Sequence, residues 1–284
     1  MTSSRSTTVV LDGLCFPEGP RWHDGRLFFS DQHDHRVVAM DPSGNAETIV
    51  EVANQPSGIG WLPDGRMLVV SMLDRMVLRL EDGQLVEHAD LSVYAPAACN
   101  DMVVDAQGRA YVGHFGFDMY GGEKPEDASL LLVLPDGWVS VAAHGLQFPN
   151  GMVITDDGGT LIVGESMNGH LTAFTVAADG SLVDRRDFAQ LPGSVPDGIC
   201  LDADGAVWAA CPFTGRCLRV AEGGEVLDEV KTTYDSAFAC MLGGADRRTL
   251  YICTAPGHVP EEARRARGGR IETVEVDVPG AGRP

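Results

Sequence analysis

The chain has 284 residues, 44% of them hydrophobic and 22% charged, with 34 glycines. That composition is globular and rich in turns, and the length suits one large all-β domain. A formal net charge of −20 argues against nucleic-acid backbones and anionic membranes, which are bound through basic patches. The seven cysteines include no C-x-x-C pair, so they read as small buried residues, not as a disulfide framework or a zinc cluster.

Taken in order, residues 1–8 are polar and carry no apolar segment of signal-peptide length. No later run reaches the roughly 18 apolar residues of a membrane helix. The expected location is cytoplasmic. A lone β-branched run follows at Thr7-Thr8-Val9-Val10-Leu11. A short motif then recurs as Pro17-Glu18-Gly19-Pro20, Pro56-Ser57-Gly58-Ile59, Cys99-Asn100-Asp101-Met102, Pro149-Asn150-Gly151-Met152 and Pro196-Asp197-Gly198-Ile199. A degenerate sixth copy, Ala237-Phe238-Ala239-Cys240-Met241, is expected to place a small apolar residue where the others carry a polar one. The copies are spaced by about 39, 43, 50, 47 and 41 residues, which is the period of a repeat architecture.

Each copy opens a short apolar strand. A turn follows, as at Asp24-Gly25, Asp64-Gly65 and Asp157-Gly158. Asp-Gly between apolar runs is a hairpin signal, because glycine takes the positive φ of the primed turns. A second strand comes next, from Leu27-Phe28-Phe29-Ser30 in the first unit to Leu250-Tyr251-Ile252-Cys253 in the last. A third strand and a shorter fourth complete each unit. Four strands per unit and six units predict an all-β, six-bladed β-propeller of four-stranded antiparallel blades. The reading is a single domain over residues 1–284, with 1–6 and 280–284 as flexible tails. An open ring would expose sheet edges, so the run at 7–11 is expected to pair into the last blade and close it. The only helix expected lies near 261–267. The glycine-rich insertion 115–129 reads either as a lid over the motif end or as an ordinary surface loop.

Rotation would bring Glu18, Asn100, Asn150 and Asp197 to one axis. Their oxygens suit a hard divalent cation, calcium first, with magnesium or manganese behind it. Asn and Asp before Gly are also ordinary turn formers, but turn chemistry does not account for Glu18. The ends of the second strands form another ring: Asp31, Ser71, His114, Glu165, Cys211 and Thr254. From it, His114 and Glu165 are candidates to meet a substrate and exchange protons with it, although a lone His in an apolar strand also reads as a satisfied core residue. Met119 and Met152, with Met72, Met167 and Met241, either line an apolar pocket or fill the core. His33 and His35 read as exposed loop. No G-x-S-x-G elbow or P-loop occurs, which disfavours covalent serine catalysis.

Taken together, Pro17-Glu18-Gly19-Pro20-Arg21-Trp22, Cys99-Asn100-Asp101, Phe148-Pro149-Asn150-Gly151, Pro196-Asp197-Gly198-Ile199 and Gly269-Arg270-Ile271-Glu272 resemble the gluconolactonase, senescence-marker-protein and luciferin-regenerating-enzyme family, over nearly the whole chain. The resemblance implies a six-bladed propeller with one catalytic divalent cation, usually calcium or zinc, and hydrolysis of a small-molecule lactone. It implies that Glu18, Asn150 and Asp197 are metal ligands, Asn100 a further ligand or substrate contact, and Asp197 the general base. Sugar lactonases of that family tend to carry Arg two residues before the Asn-Asp pair. Here that residue is Ala98, which suits a less polar lactone or ester. The competing readings are another small-molecule enzyme on the same scaffold (a phosphotriesterase, isomerase or cyclase) and a non-catalytic binding propeller with a structural cation. A monomer or a dimer is expected.

Overall fold

The computed structural model describes residues 5–234 and 236–284. Six antiparallel sheets stand around a central channel as a six-bladed propeller. Blade one runs Pro17–His23, Arg26–Asp31, Arg36–Met40 and Ala46–Glu51. Blades two to five repeat the meander, from inner strands Pro56–Trp61, Cys99–Val104, Pro149–Ile154 and Ile199–Asp202. Blade six takes Ala237–Gly243, Thr249–Thr254 and Gly269–Glu275 from the end of the chain and Thr8–Leu14 from its beginning. The ring therefore closes as the sequence requires. The short helix is Pro260–Ala266. Among the described residues, no helix is long and apolar enough to cross a membrane.

The N-terminal latch is tied at a buried acid. Glu272, fully buried, accepts hydrogen bonds from Thr7, Thr233 and Thr254, and so joins the latch to blades five and six. Arg5–Ser6 adds a parallel strand to the outer edge of blade five. At the other end, Gly280–Ala281 pairs with the inner strand of blade five, and Arg283 bridges Ile154 of blade four. Residues 5–6, 280–281 and 283, expected in flexible tails, pair with strand edges. Residues 1–4 lie outside the described residues.

The motif glycines are there for packing more than for turning. A Cβ on Gly58 would lie 2.2 Å from the Met102 backbone nitrogen, and one on Gly151 would lie 2.5 Å from that of Ile199. Inner strands of neighbouring blades approach too closely at these points for any side chain. The Asp-Gly turns also differ from expectation. At Asp24-Gly25 both residues take positive φ, whereas at Asp64-Gly65 and Asp157-Gly158 only the glycine does. Those loops are longer, and a side chain caps them: Asp157 accepts the Gly159 N–H. All seven cysteines are buried and unbridged, and Cys200, Cys217, Cys240 and Cys253 pack in one core cluster with Trp208.

Candidate active site

Each inner strand of blades one to four and six breaks register at its motif residue, for example between Glu18 and Arg21 and between Pro149 and Met152. A bulge re-aims a side chain that plain alternation would bury in the sheet. In blade five the strand starts only at Ile199, and Asp197 is held ahead of it: its N–H donates to Ala210 and its carbonyl accepts from Gly151. Glu18, Asn100, Asn150 and Asp197 consequently line one cavity of about 390 Å³ at the motif end of the channel. A larger cleft of about 580 Å³ at the other end, beside Trp22, Trp61 and Arg283, holds none of these four.

The floor of the cavity is over-supplied with negative charge. Glu18 and Asp197 line it, and Asp101 lies beside them, buried and paired with Arg21. Arg21 is itself consumed: it donates to Asp101 and to the carbonyls of Pro20, Ile59 and Met102. Three carboxylates therefore face one guanidinium in the hub. Burial, followed by the field of Asp101, pushes the Glu18 carboxyl up to about 8, against the pull of the Gly19 N–H and Arg21. Asp197 is also raised well above the carboxylate range, by burial and then by Glu18 and Asp101, while a hydrogen bond from Asn150 works the other way. Tyr120 is pushed up to about 12 by desolvation and then by Asp197 and Glu18, which puts its hydroxyl in the field of the same pair.

The amides are oriented by the frame. The Asn150 amide nitrogen donates to Ser166, whose hydroxyl in turn donates to the Pro196 carbonyl, and it also serves Asp197. Oδ1 of Asn150 accepts no hydrogen bond among the described residues, so it is the free lone-pair group. Asn100 donates to the Pro149 carbonyl and accepts from Ser57. Two carboxylates and two amide oxygens fit a hard divalent cation with oxygen ligands. With only two carboxylates and two amides in the set, no cluster of three His, Cys, Asp or Glu side chains placed for a metal occurs among the described residues.

Three expected site residues lie elsewhere. His114 is buried inside blade three, where Nε2 accepts the Ser129 N–H. Glu165 is buried in blade four, accepts from Gln147, Thr172 and Arg185, and does not line the cavity. Met152 is fully buried between blades three and four. Met241 is also core and Met72 packs behind the wall, whereas Met119 and Met167 do line the cavity. His33, expected in an exposed loop, is buried: it stacks on Phe16 with its Nε2 at the His258 carbonyl. The sixth motif position holds Phe238, not a small residue, and it lines the cavity packed edge-on against Phe16. Ala98 packs behind Phe115 and Phe148. From the 115–129 insertion, Phe115, Met119 and Tyr120 reach the cavity.

Sequence reasoning missed Gln32, Ser166 and Pro212, which line the cavity with Phe115. Each directly follows a member of the second-strand ring: Asp31, Glu165, Cys211 and His114. Side chains alternate along a strand, so in these four blades the residue after the ring faces the cavity, whereas Met72 and Ala255, at the same step in the other two, are core.

A propeller whose inner strands aim acids and amides at one end of the channel defines a class of small-molecule site. The comparisons narrow it. The model of the SMP-30/Gluconolactonase/LRE-like region matches residues 16–256, and the chain belongs to that family. It is 29% identical over 261 residues to a pentonolactonase of Haloferax volcanii, covering 89% of this chain and 86% of the relative. It is 28% identical to a 6-deoxy-6-sulfogluconolactonase of Pseudomonas putida, covering 97% and 96%. Among solved structures, a calcium-binding protein, regucalcin, from Agrobacterium tumefaciens superposes with a TM-score of 0.82 at 20% identity, covering 100% of this chain and 97% of that one.

Proposed function

We propose that this chain hydrolyses a lactone in the cavity above the hub, and that Glu18, Asn150 and Asp197, with Asn100 beside them, hold a divalent cation, calcium first. The observation that carries the reading is the hub itself: Glu18 and Asp197, buried together with Asp101 against a single Arg21, at the floor of a cavity of ligand size. The family and the two lactonase relatives supply the reaction class. When bound, such a cation polarises a carbonyl oxygen and stabilises the oxyanion that develops on it.

The chain's own residues do the rest. Beside a bound cation Asp197 favours its ionised form, and its carboxylate then takes a proton from water as that water's oxygen joins the lactone carbonyl carbon. The acyl–oxygen bond of the ring then breaks, and the leaving alkoxide takes its proton from solvent at the mouth. His114 takes no part, because Nε2 is occupied and the ring lies inside the blade. Ser166 ties the Asn150 amide to the Pro196 carbonyl beside Asp197, and that amide favours the ionised Asp197. The test is Asp197→Asn and Glu18→Gln, each assayed for lactone hydrolysis and for calcium binding by titration calorimetry. Loss of turnover by about a hundredfold or more in both, with weaker calcium binding, is expected. Turnover that persists in both variants, or under exhaustive chelation, would remove the mechanism.

A further inference from the structure

We infer that the substrate is an aryl-bearing lactone and not a polyhydroxylated one; this rests on the lactonase reading and adds the substrate class to it. Above the floor the walls are aromatic. Phe16, Phe115, Phe148, Phe213 and Phe238 all line the cavity, and no Lys or Arg does. They come from five separate places in the chain, ahead of blades one and four, within blades three and five, and at the sixth motif position. Phe115 and Phe148 stack at 4.4 Å, while Phe16 and Phe238 meet edge-on at 4.7 Å. Together they offer ring faces and edges to a flat guest.

The polar side chains at the floor are already committed. Ser166 spends its hydroxyl on the Pro196 carbonyl, Asn100 spends one of its two amide N–H groups on the Pro149 carbonyl, Asn150 spends one on Ser166, and Gln32 donates to Ser57. A sugar lactone would lose water from several hydroxyls and find few partners for them.

Phe213 is the most telling residue. It is 68% exposed at the mouth, so burial gives the fold little reason to keep it. Its backbone also sits at φ +65°, a conformation that bulky side chains rarely adopt. Tyr120 and Met167, 50% and 46% exposed, complete an apolar rim with it. An aryl group entering the mouth would cover all three.

Dihydrocoumarin and D-glucono-1,5-lactone are the paired substrates, each assayed with calcium present. Dihydrocoumarin hydrolysis adds one water across the acyl–oxygen bond and yields 3-(2-hydroxyphenyl)propanoate. The lactam isostere 3,4-dihydro-2-quinolinone, which resists hydrolysis, is titrated calorimetrically in parallel. We expect kcat/KM for dihydrocoumarin to exceed that for the sugar lactone by about a hundredfold or more, and Phe213→Ala to weaken lactam binding about fivefold without loss of folding. Equal or better turnover of the sugar lactone, or a lactam that does not bind, would overturn the inference. Lactam binding that depends on Phe213, with neither lactone turned over, would uphold the aryl site and instead sink the lactonase reading.

Discussion

His114 separates a frame residue from a catalytic one, and pH can tell which it is. In the folded chain Nε2 accepts the Ser129 N–H, so the ring proton resides on Nδ1, which is buried without a partner. Charging the ring would set a second N–H against the Ser129 donor. Desolvation accordingly lowers the His114 pKa from 6.5 to about 4. The unfolded chain takes up that proton near the ordinary value, so between the two pKa values it binds more protons than the folded chain, and stability falls as pH falls. Between about pH 7.5 and pH 5 this linkage is worth about 2 kcal/mol. In His114→Gln the amide oxygen replaces the acceptor and nothing titrates. Urea unfolding of both proteins at the two pH values should show wild type losing about 2 kcal/mol more than the variant. Other titrating groups are common to both proteins and cancel in the difference. Lactone turnover of His114→Gln near pH 7.5 should stay within about threefold of wild type. A pH-independent stability difference would refute the argument for a neutral, locked imidazole. A hundredfold loss of turnover in a folded variant would return His114 to the chemistry.

Three further outcomes follow from the frame. Removing residues 5–14 strips the outer strand from blade six, takes away the buried Leu14 and uncovers Ile271, which pairs with Leu11 and is 0% exposed; the loss is about 3 kcal/mol or more and about 6–12 °C in melting temperature by calorimetry. An unchanged melting temperature would disprove the latch. Gly151→Ala drives a Cβ to 2.5 Å from the Ile199 nitrogen, whereas Gly65→Ala meets nothing within 4 Å at its φ of +87°. The first should cost about 3 kcal/mol or more in urea unfolding and the second about 1 kcal/mol, and equal costs would contradict the close-approach account. Arg21→Met leaves the Asp101 carboxylate buried without its partner and should destabilise by about 3–5 kcal/mol. Adding Asp101→Asn should recover part of that, and a strictly additive double variant would show that the pair is not coupled.

Much of the fold was legible because a repeat multiplies weak signals. One Asp-Gly turn or one Pro-x-Gly motif says little, but four of each at one period, with two looser units between and after them, define blades, and the edge left open in the last unit assigns the 7–11 run to it. The convergence of Glu18, Asn100, Asn150 and Asp197 was legible for the same reason. The rest depended on phase. The bulge after each motif residue cannot be read from composition, and it decides that Met152 turns into a seam two residues after Asn150 turns into the channel. At the second-strand ends a one-residue choice separated Glu165, in the seam, from Ser166, in the cavity. The aromatic wall was missed because Phe16, Phe148 and Phe213 stand in connections, where no periodicity marks direction.

The two rings divide labour between fold and site. Asp31 and Glu165 occupy the same register position, opposite the proline that precedes the motif residue. Each uses its carboxylate to hold backbone N–H groups of the segment leading into the inner strand, Cys15 and Phe16 for one and Gln147 for the other, and each adds an arginine, Arg36 or Arg185. These buried acids are satisfied, so they stabilise a geometry and have no capacity left for a ligand. The inner ring has the opposite character. Its acids are compensated only in part by Arg21, and burial with mutual repulsion favours the protonated forms of Glu18 and Asp197, so the protein itself does not stabilise their charge. A frame acid can thus be told from a site acid by whether its hydrogen bonds and countercharge are complete. Moving a carboxylate from position 165 to position 166 would break a seam and add charge to the cavity, and two neighbouring residues would fail for different reasons.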